Sequence, residues 1–317
     1  MSASAALLAA VVFLGGVALV VWSTGQLLNG LVGIATVLRI APFAVSAVLS
    51  GLEAENVAVG LAAGSRGAAE VALGTVFGGS IFLVCVALGL GAMIVPLRVR
   101  LPRPVLAVFA ITPVFAGLPL AFGTGATPRW TGAVLLLAFA AAMFYVVRAS
   151  RNHRFMDDDD IDEVVERPPS LLRAVLLTLL GIGLITAGGE LVASGATRLI
   201  ADVGLSAGLV GMVLTPAAIE AEEVVRQVVP ARAGRHDVSA GNVVGTLLWF
   251  VLFNLGLIAL LTPVQVPRLS RVLDYPFLIA ASWTATAFLA RGRVGRTAGA
   301  TLVTLAVAYA VLRAVLR

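Results

Sequence analysis

The chain has 317 residues, 60% of them hydrophobic and only 12% charged, with a mean hydropathy of +1.03. Those values exclude an ordinary soluble domain and define an integral membrane protein. All 22 basic residues are arginines scattered between apolar segments, so the net charge of +5 reads as membrane orientation and not as a nucleic-acid-binding surface; a single cysteine, Cys85, leaves no disulfide framework or thiolate metal site.

A spanning helix takes about 20 mainly apolar residues. Ten such segments lie at 5–34, 40–64, 69–96, 104–122, 130–148, 171–199, 204–229, 237–262, 272–290 and 296–315. The first opens on Ala5 to Trp22, which has no basic flank and runs straight into further apolar sequence, so it reads as a retained helix and not a leader peptide. Between the fifth and sixth segments, residues 149–170 form a polar loop carrying Asp157, Asp158, Asp159, Asp160, Asp162, Glu163 and Glu166. It reads as a solvated acidic linker, with a cation sensor as the alternative, although it lacks EF-hand spacing. Fifteen arginines fall on the side of this loop and seven on the other. Arginines favour the cytoplasm, so the loop is expected inside and both termini outside, in a multi-pass protein of the cell membrane. His153 and His236 have no clustered partners of the kind a zinc site needs.

Sliding the second half over the first by 167 residues aligns Gly51–Val57 with Ala218–Val224, and Gly67, Glu70, Gly74, Val76 and Gly78 with Gly234, Asp237, Gly241, Val243 and Gly245. Five helices in each half is an odd number, so the second copy enters the membrane from the opposite side. The predicted fold is therefore all-α: ten transmembrane helices in two inverted-topology five-helix repeats, 1–148 and 171–317, with a binding site near the midplane where they meet. Gly74/Gly78 and Gly241/Gly245 have the spacing that lets helices approach closely.

Ten acids lie outside the loop, and five of them sit in two Glu-Ala-Glu clusters within apolar segments. Unpaired and ionised, five buried acids cost on the order of 10 kcal/mol. On a helix Glu53 shares a face with Asn56, and Glu220 with Glu223. If the two faces meet, three carboxylates and an amide oxygen make a hard-oxygen site suited to Ca²⁺, while Glu55 and Glu222 point elsewhere as proton relays or along the access path. The bland alternative is that these acids are held neutral or paired with arginine; Arg226, one turn after Glu222 and Glu223, is the available partner. Glu70 and Asp237 stand at matching helix starts, where the helix dipole favours a carboxylate, with the ion path as the alternative. Glu190, in an apolar helix, belongs either to the site or to a polar neighbour. Pro216 is expected to kink the seventh helix.

These residues resemble the cation/Ca²⁺ exchanger superfamily of sodium/calcium and proton/calcium antiporters. Gly188–Ala196 looks like the segment leading into that family's second repeat, Gly241–Thr246 resembles its Gly-Asn-Val-Val-Gly-Ser motif, and Gln26 stands near the counterpart of Glu190. Where the sodium/calcium branch has Gly-Thr-Ser-x-Pro-Glu, this chain has Gly51–Asn56 and Ala218–Glu223. The ligand glutamate falls on Asn56 and Glu223, Glu53 and Glu220 replace hydroxyl residues, and Glu55 and Glu222 replace the proline. The later Gly-Ser-Asn becomes Gly78-Gly79-Ser80 and Gly245-Thr246-Leu247, so an amide is lost in each half. The resemblance implies a secondary antiporter, not an enzyme, that carries a small cation, Ca²⁺ foremost, and needs no cofactor. Additional buried glutamates can bind and release protons, which favours H⁺ as counter-ion over Na⁺. No nucleotide-binding loop is present, which argues against direct ATP-driven pumping. The alternative is a non-transporting sensor or assembly protein on the same scaffold.

Overall fold

The computed structural model describes residues 3–37, 53–121, 125–151 and 170–316. Its helices are α1 (Ala3–Val37), α2 (Ala54–Ser65), α3 (Ala69–Ile94), α4 (Arg103–Leu120), α5 (Arg129–Arg151), α6 (Leu171–Ala201), α7 (Ala207–Leu209 running on through Val210–Leu214 and Thr215–Ile219), α8 (Ala221–Arg232), α9 (His236–Leu261), α10 (Ser270–Ala290) and α11 (Arg296–Val315). Among the described residues, strand-like pairing is confined to two isolated antiparallel bridges, Leu97–Val294 and Ala126–Gln265. Eight helices, all but α2, α7 and α8, are long and apolar enough to cross a membrane. Helices satisfy their own backbone groups, which a hydrocarbon environment demands. Large apolar side chains such as Leu137, Leu172 and Leu179 project outward from α5 and α6, as a lipid-facing surface does.

One of the ten expected spans departs from a single long helix, and another is described only in part. The first part of segment 40–64 lies outside the described residues, as do Asp157 to Glu166 and His153. Segment 204–229 is not continuous: α7 stops at Ile219, Glu220 takes φ −85° and ψ 6°, and α8 restarts at Ala221. The expected kink near Pro216 is therefore a break one turn later. Upstream of the break, Val210–Leu214 is wound with a wider turn in which the Thr215 hydroxyl donates to the Val210 carbonyl at 2.8 Å, and Pro216 has no N–H to give to the preceding turn.

Element limits repeat across the two halves at the same offset of 167. α2 and α8 span 54–65 and 221–232, and α3 and α9 span 69–94 and 236–261, with wider turns at Phe82–Ala87 and Trp249–Asn254. Both short helices end alike. The Ala68 N–H bonds the Ala63 carbonyl and Gly67 bonds Gly64, while Arg235 bonds Pro230 and Gly234 bonds Ala231. Gly67 and Gly234 sit at φ 72° and 81°, the left-handed cap that a residue without Cβ adopts freely. Between the halves the pairing is reciprocal: the Val294 N–H bonds the Leu97 carbonyl, and the Thr127 N–H bonds the Val264 carbonyl, an exchange of equivalent positions.

Helices α1 and α6 pack antiparallel along most of their length. Gly195, Gly188 and Gly181 sit against Phe13, Val20 and Leu27, so glycine on one helix meets a larger side chain on the other at seven-residue intervals. The most buried long helices are α3 and α9. Gly74 and Gly78 press directly on α7, where a Cβ at either would strike the carbonyl oxygen of Gly211 or Met212. Their role is close packing, as the spacing suggested. We expect Gly74→Val to destabilise the protein by about 1–3 kcal/mol, read as a drop of several degrees in the unfolding midpoint of the purified protein; an unchanged midpoint would show that α3 and α7 separate freely.

Candidate functional site

Both carboxylate clusters lie where a helix starts afresh. Glu53 is the N-cap residue of α2 and Glu220 that of α8, with Glu55 in the first turn of α2 and Glu222 and Glu223 in the first turn of α8. The free N–H groups of a helix start favour carboxylates there, while the break before α8 also releases carbonyls from the end of α7.

The two faces meet. The Asn56 side-chain amide donates to Glu220 at 2.6 Å and to Glu53 at 3.2 Å, so one residue of the first half ties together an acid from each. Glu53, Glu55, Asn56, Glu220 and Glu223 are all at most 2% exposed. Asn56 Oδ1 is buried without a hydrogen-bond partner among the described residues, an arrangement that costs free energy unless a cation or donor arrives. Glu55 turns from this centre to accept from the Thr24 hydroxyl of α1 at 2.9 Å. Glu222 faces outward, 36% exposed.

Four further residues shape the cluster. Arg226 donates to Glu223 at 2.8 Å, to Glu222 at 2.5 Å and to Glu53 at 3.5 Å, the pairing that its place one turn after Glu222 made available. Asn242 on α9 donates to Glu223 at 2.7 Å; it was visible as part of the Gly241–Thr246 motif but had no assigned role. Gln227 and Ser239 close a bond at 2.8 Å beside it. With Arg226 and Asn56 interleaved, no three carboxylates, imidazoles or thiolates among the described residues are gathered to hold a metal ion as they stand.

Glu190 does not join the cluster. It pairs with Arg66, both side chains being more than 40% exposed, which favours its reading as one half of a polar contact. Glu70 occupies the first turn of α3 but also accepts from Arg313 at 3.1 Å. Arg313 lies in the last turn of α11, buried, and donates to Asp274 at 3.0 Å while the Tyr309 hydroxyl donates to the same carboxylate at 2.9 Å. An exposed ion pair contributes at most about 1 kcal/mol, so Glu190→Gln is expected to leave folding and cation exchange within about twofold of wild type. A large loss of uptake in that variant would place Glu190 on the ion path.

Ionisable groups buried within a multi-pass helical protein mark the ion-handling class of membrane proteins. The chain matches the sodium/calcium exchanger protein family over residues 8–148 and 173–315, and it belongs to that family. It is thus a transporter of small cations and not an enzyme. Inner membrane protein YrbG of Escherichia coli K12 is 26% identical over 284 residues, 87% of each chain. The candidate antiporter CaxA of Alkalimonas amylolytica is 25% identical over 263 residues, covering 81% of this chain and 82% of its own. The solved sodium-calcium exchanger NCX_Mj, soaked with Na⁺ and Sr²⁺, superposes with a TM-score of 0.60 over 98% of this chain at 19% identity, which establishes the shared fold.

Proposed function

We propose that this protein is a secondary antiporter that exchanges Ca²⁺ for H⁺ or Na⁺ by alternating access at a midplane site. Glu53, Asn56, Glu220 and Glu223 supply the cation's oxygens, and Glu55 and Glu222 flank the route. The observation that carries this reading is the Asn56–Glu220 contact. It unites buried acids of both halves around an amide oxygen that has no donor of its own. Ca²⁺ takes about six to eight oxygens at roughly 2.3–2.6 Å, a number this set reaches together with backbone carbonyls at the α7–α8 break and water.

The architecture we infer is ten spans in two inverted repeats of five, 1–148 and 171–317, with residues 149–170 in the cytoplasm and both termini outside. Support comes from the antiparallel packing of α1 on α6, which occupy corresponding positions at the 167-residue offset, and from the reciprocal bonds at Leu97 and Thr127. Exchange of equivalent contacts is what a twofold axis produces, and inverted halves offer two mirror routes to one site.

Uptake of ⁴⁵Ca²⁺ into proteoliposomes under an imposed pH gradient or an imposed Na⁺ gradient tests the reading and names the counter-ion. Accumulation driven by one gradient supports it. The guanidinium among the acids favours a second reading, a non-transporting protein on the exchanger scaffold, and absence of uptake under either gradient from correctly inserted protein would leave that reading standing.

A further inference from the structure

The position of Arg226 has no counterpart in the first half, where the offset of 167 falls on Val59. The asymmetry is therefore specific to one repeat, and it places a permanent positive charge inside the acid cluster. The guanidinium reaches Glu222 and Glu223 from its own helix and Glu53 from the other half. Its forked N–H groups take up carboxylate oxygens of Glu53, Glu222 and Glu223 that a bound cation would require. At 30% exposure and on a long flexible stem, the side chain has a path outward that the buried glutamates lack.

Resting on the antiporter reading, we propose that Arg226 is a tethered competitor for the transported cation: it neutralises the glutamates in this arrangement and is displaced when the cation binds. Such a competitor sets the working affinity. A site that must first release its own arginine binds in proportion to the fraction already released, so the apparent dissociation constant rises by the reciprocal of that fraction. It also keeps the acid cluster from standing open with several uncompensated charges, a costly state in a low-dielectric interior.

The test uses full-length purified protein in a Cys85→Ala background, where Arg226→Cys is the single thiol. Methyl methanethiosulfonate attaches a neutral group there, and 2-aminoethyl methanethiosulfonate restores a tethered positive charge. Equilibrium binding of ⁴⁵Ca²⁺ is expected to be about tenfold tighter for the neutral adduct than for the charged one. A second measurement needs no substitution: modification of Arg226 by phenylglyoxal in the wild-type protein, followed by peptide mass spectrometry, is expected to rise severalfold at saturating Ca²⁺ as the guanidinium is released. Equal or weaker binding by the neutral adduct, or Arg226 reactivity that Ca²⁺ leaves unchanged or lowers, overturns the competitor while leaving antiport intact. Failure of wild type and both adducts to bind ⁴⁵Ca²⁺ or ²²Na⁺ overturns the competitor together with the antiporter reading.

Discussion

Replacing Glu220 by glutamine is expected to abolish exchange at working Ca²⁺ concentrations while leaving the protein folded. Glutamine keeps the shape and a carbonyl oxygen within reach of Asn56, so the contact between the halves survives in part. The negative charge does not. Truncating one member of a buried, hydrogen-bonded charged set costs roughly 2–5 kcal/mol, which corresponds to a loss of about 30-fold to about 5,000-fold in affinity. The half-saturating Ca²⁺ concentration for ⁴⁵Ca²⁺ uptake, measured beside Glu190→Gln, separates this site from an exposed acid elsewhere. Affinity within twofold of wild type in Glu220→Gln would remove this glutamate from the cation's ligands.

The second large effect concerns stability. Arg313 is fully buried and joins Asp274, itself fully buried, to the partly exposed Glu70, with Tyr309 donating to Asp274. These contacts fasten the start of α3 to α10 and the end of α11. Removing the arginine leaves Asp274 with a buried charge and no counter-charge, a change that costs roughly 3–5 kcal/mol. Arg313→Met is therefore expected to lower the unfolding midpoint by many degrees. The double variant Arg313→Met with Asp274→Leu should recover a large part of the loss, because removing both members of a buried pair eliminates the uncompensated group. A single variant as stable as wild type, or a double variant worse than the single, contradicts this account of the network.

The membrane class and the correspondence of the two glutamate clusters could be read from the residues because both depend on features that survive the loss of three dimensions. Long apolar runs report membrane spans directly, and the 167-residue offset that aligned the glutamates also aligns the helix ends, the glycine caps at Gly67 and Gly234 and the wider turns before Leu88 and Leu255. The spacing of Glu53 and Asn56 placed them on one face, and Asn56 bonds Glu53. Pro216 pointed to a kink in 204–229, but the position of the break at Glu220 was not legible, because no glycine marks it.

Side-chain partnerships across the fold were the least accessible. Asp274 stands in an apolar run and Arg313 near the end of the last apolar segment, and nothing in either run indicates a partner, because their meeting depends on how α10 and α11 pack. Arg226 was nearer to view, since an arginine three and four residues after two glutamates meets them on any helix. Its reach to Glu53 depended on the approach of the two halves, which no single helix encodes.

The central claim is that acids of both halves form one cation site, and equilibrium ⁴⁵Ca²⁺ binding to purified protein tests it most directly. Wild type, Glu53→Gln and Glu223→Gln would be titrated side by side, with folding checked by their unfolding midpoints. Saturable binding in the wild type that weakens at least 30-fold in each single variant is the result expected of a shared site. Wild-type affinity retained after the loss of either glutamate, in folded protein, would contradict it.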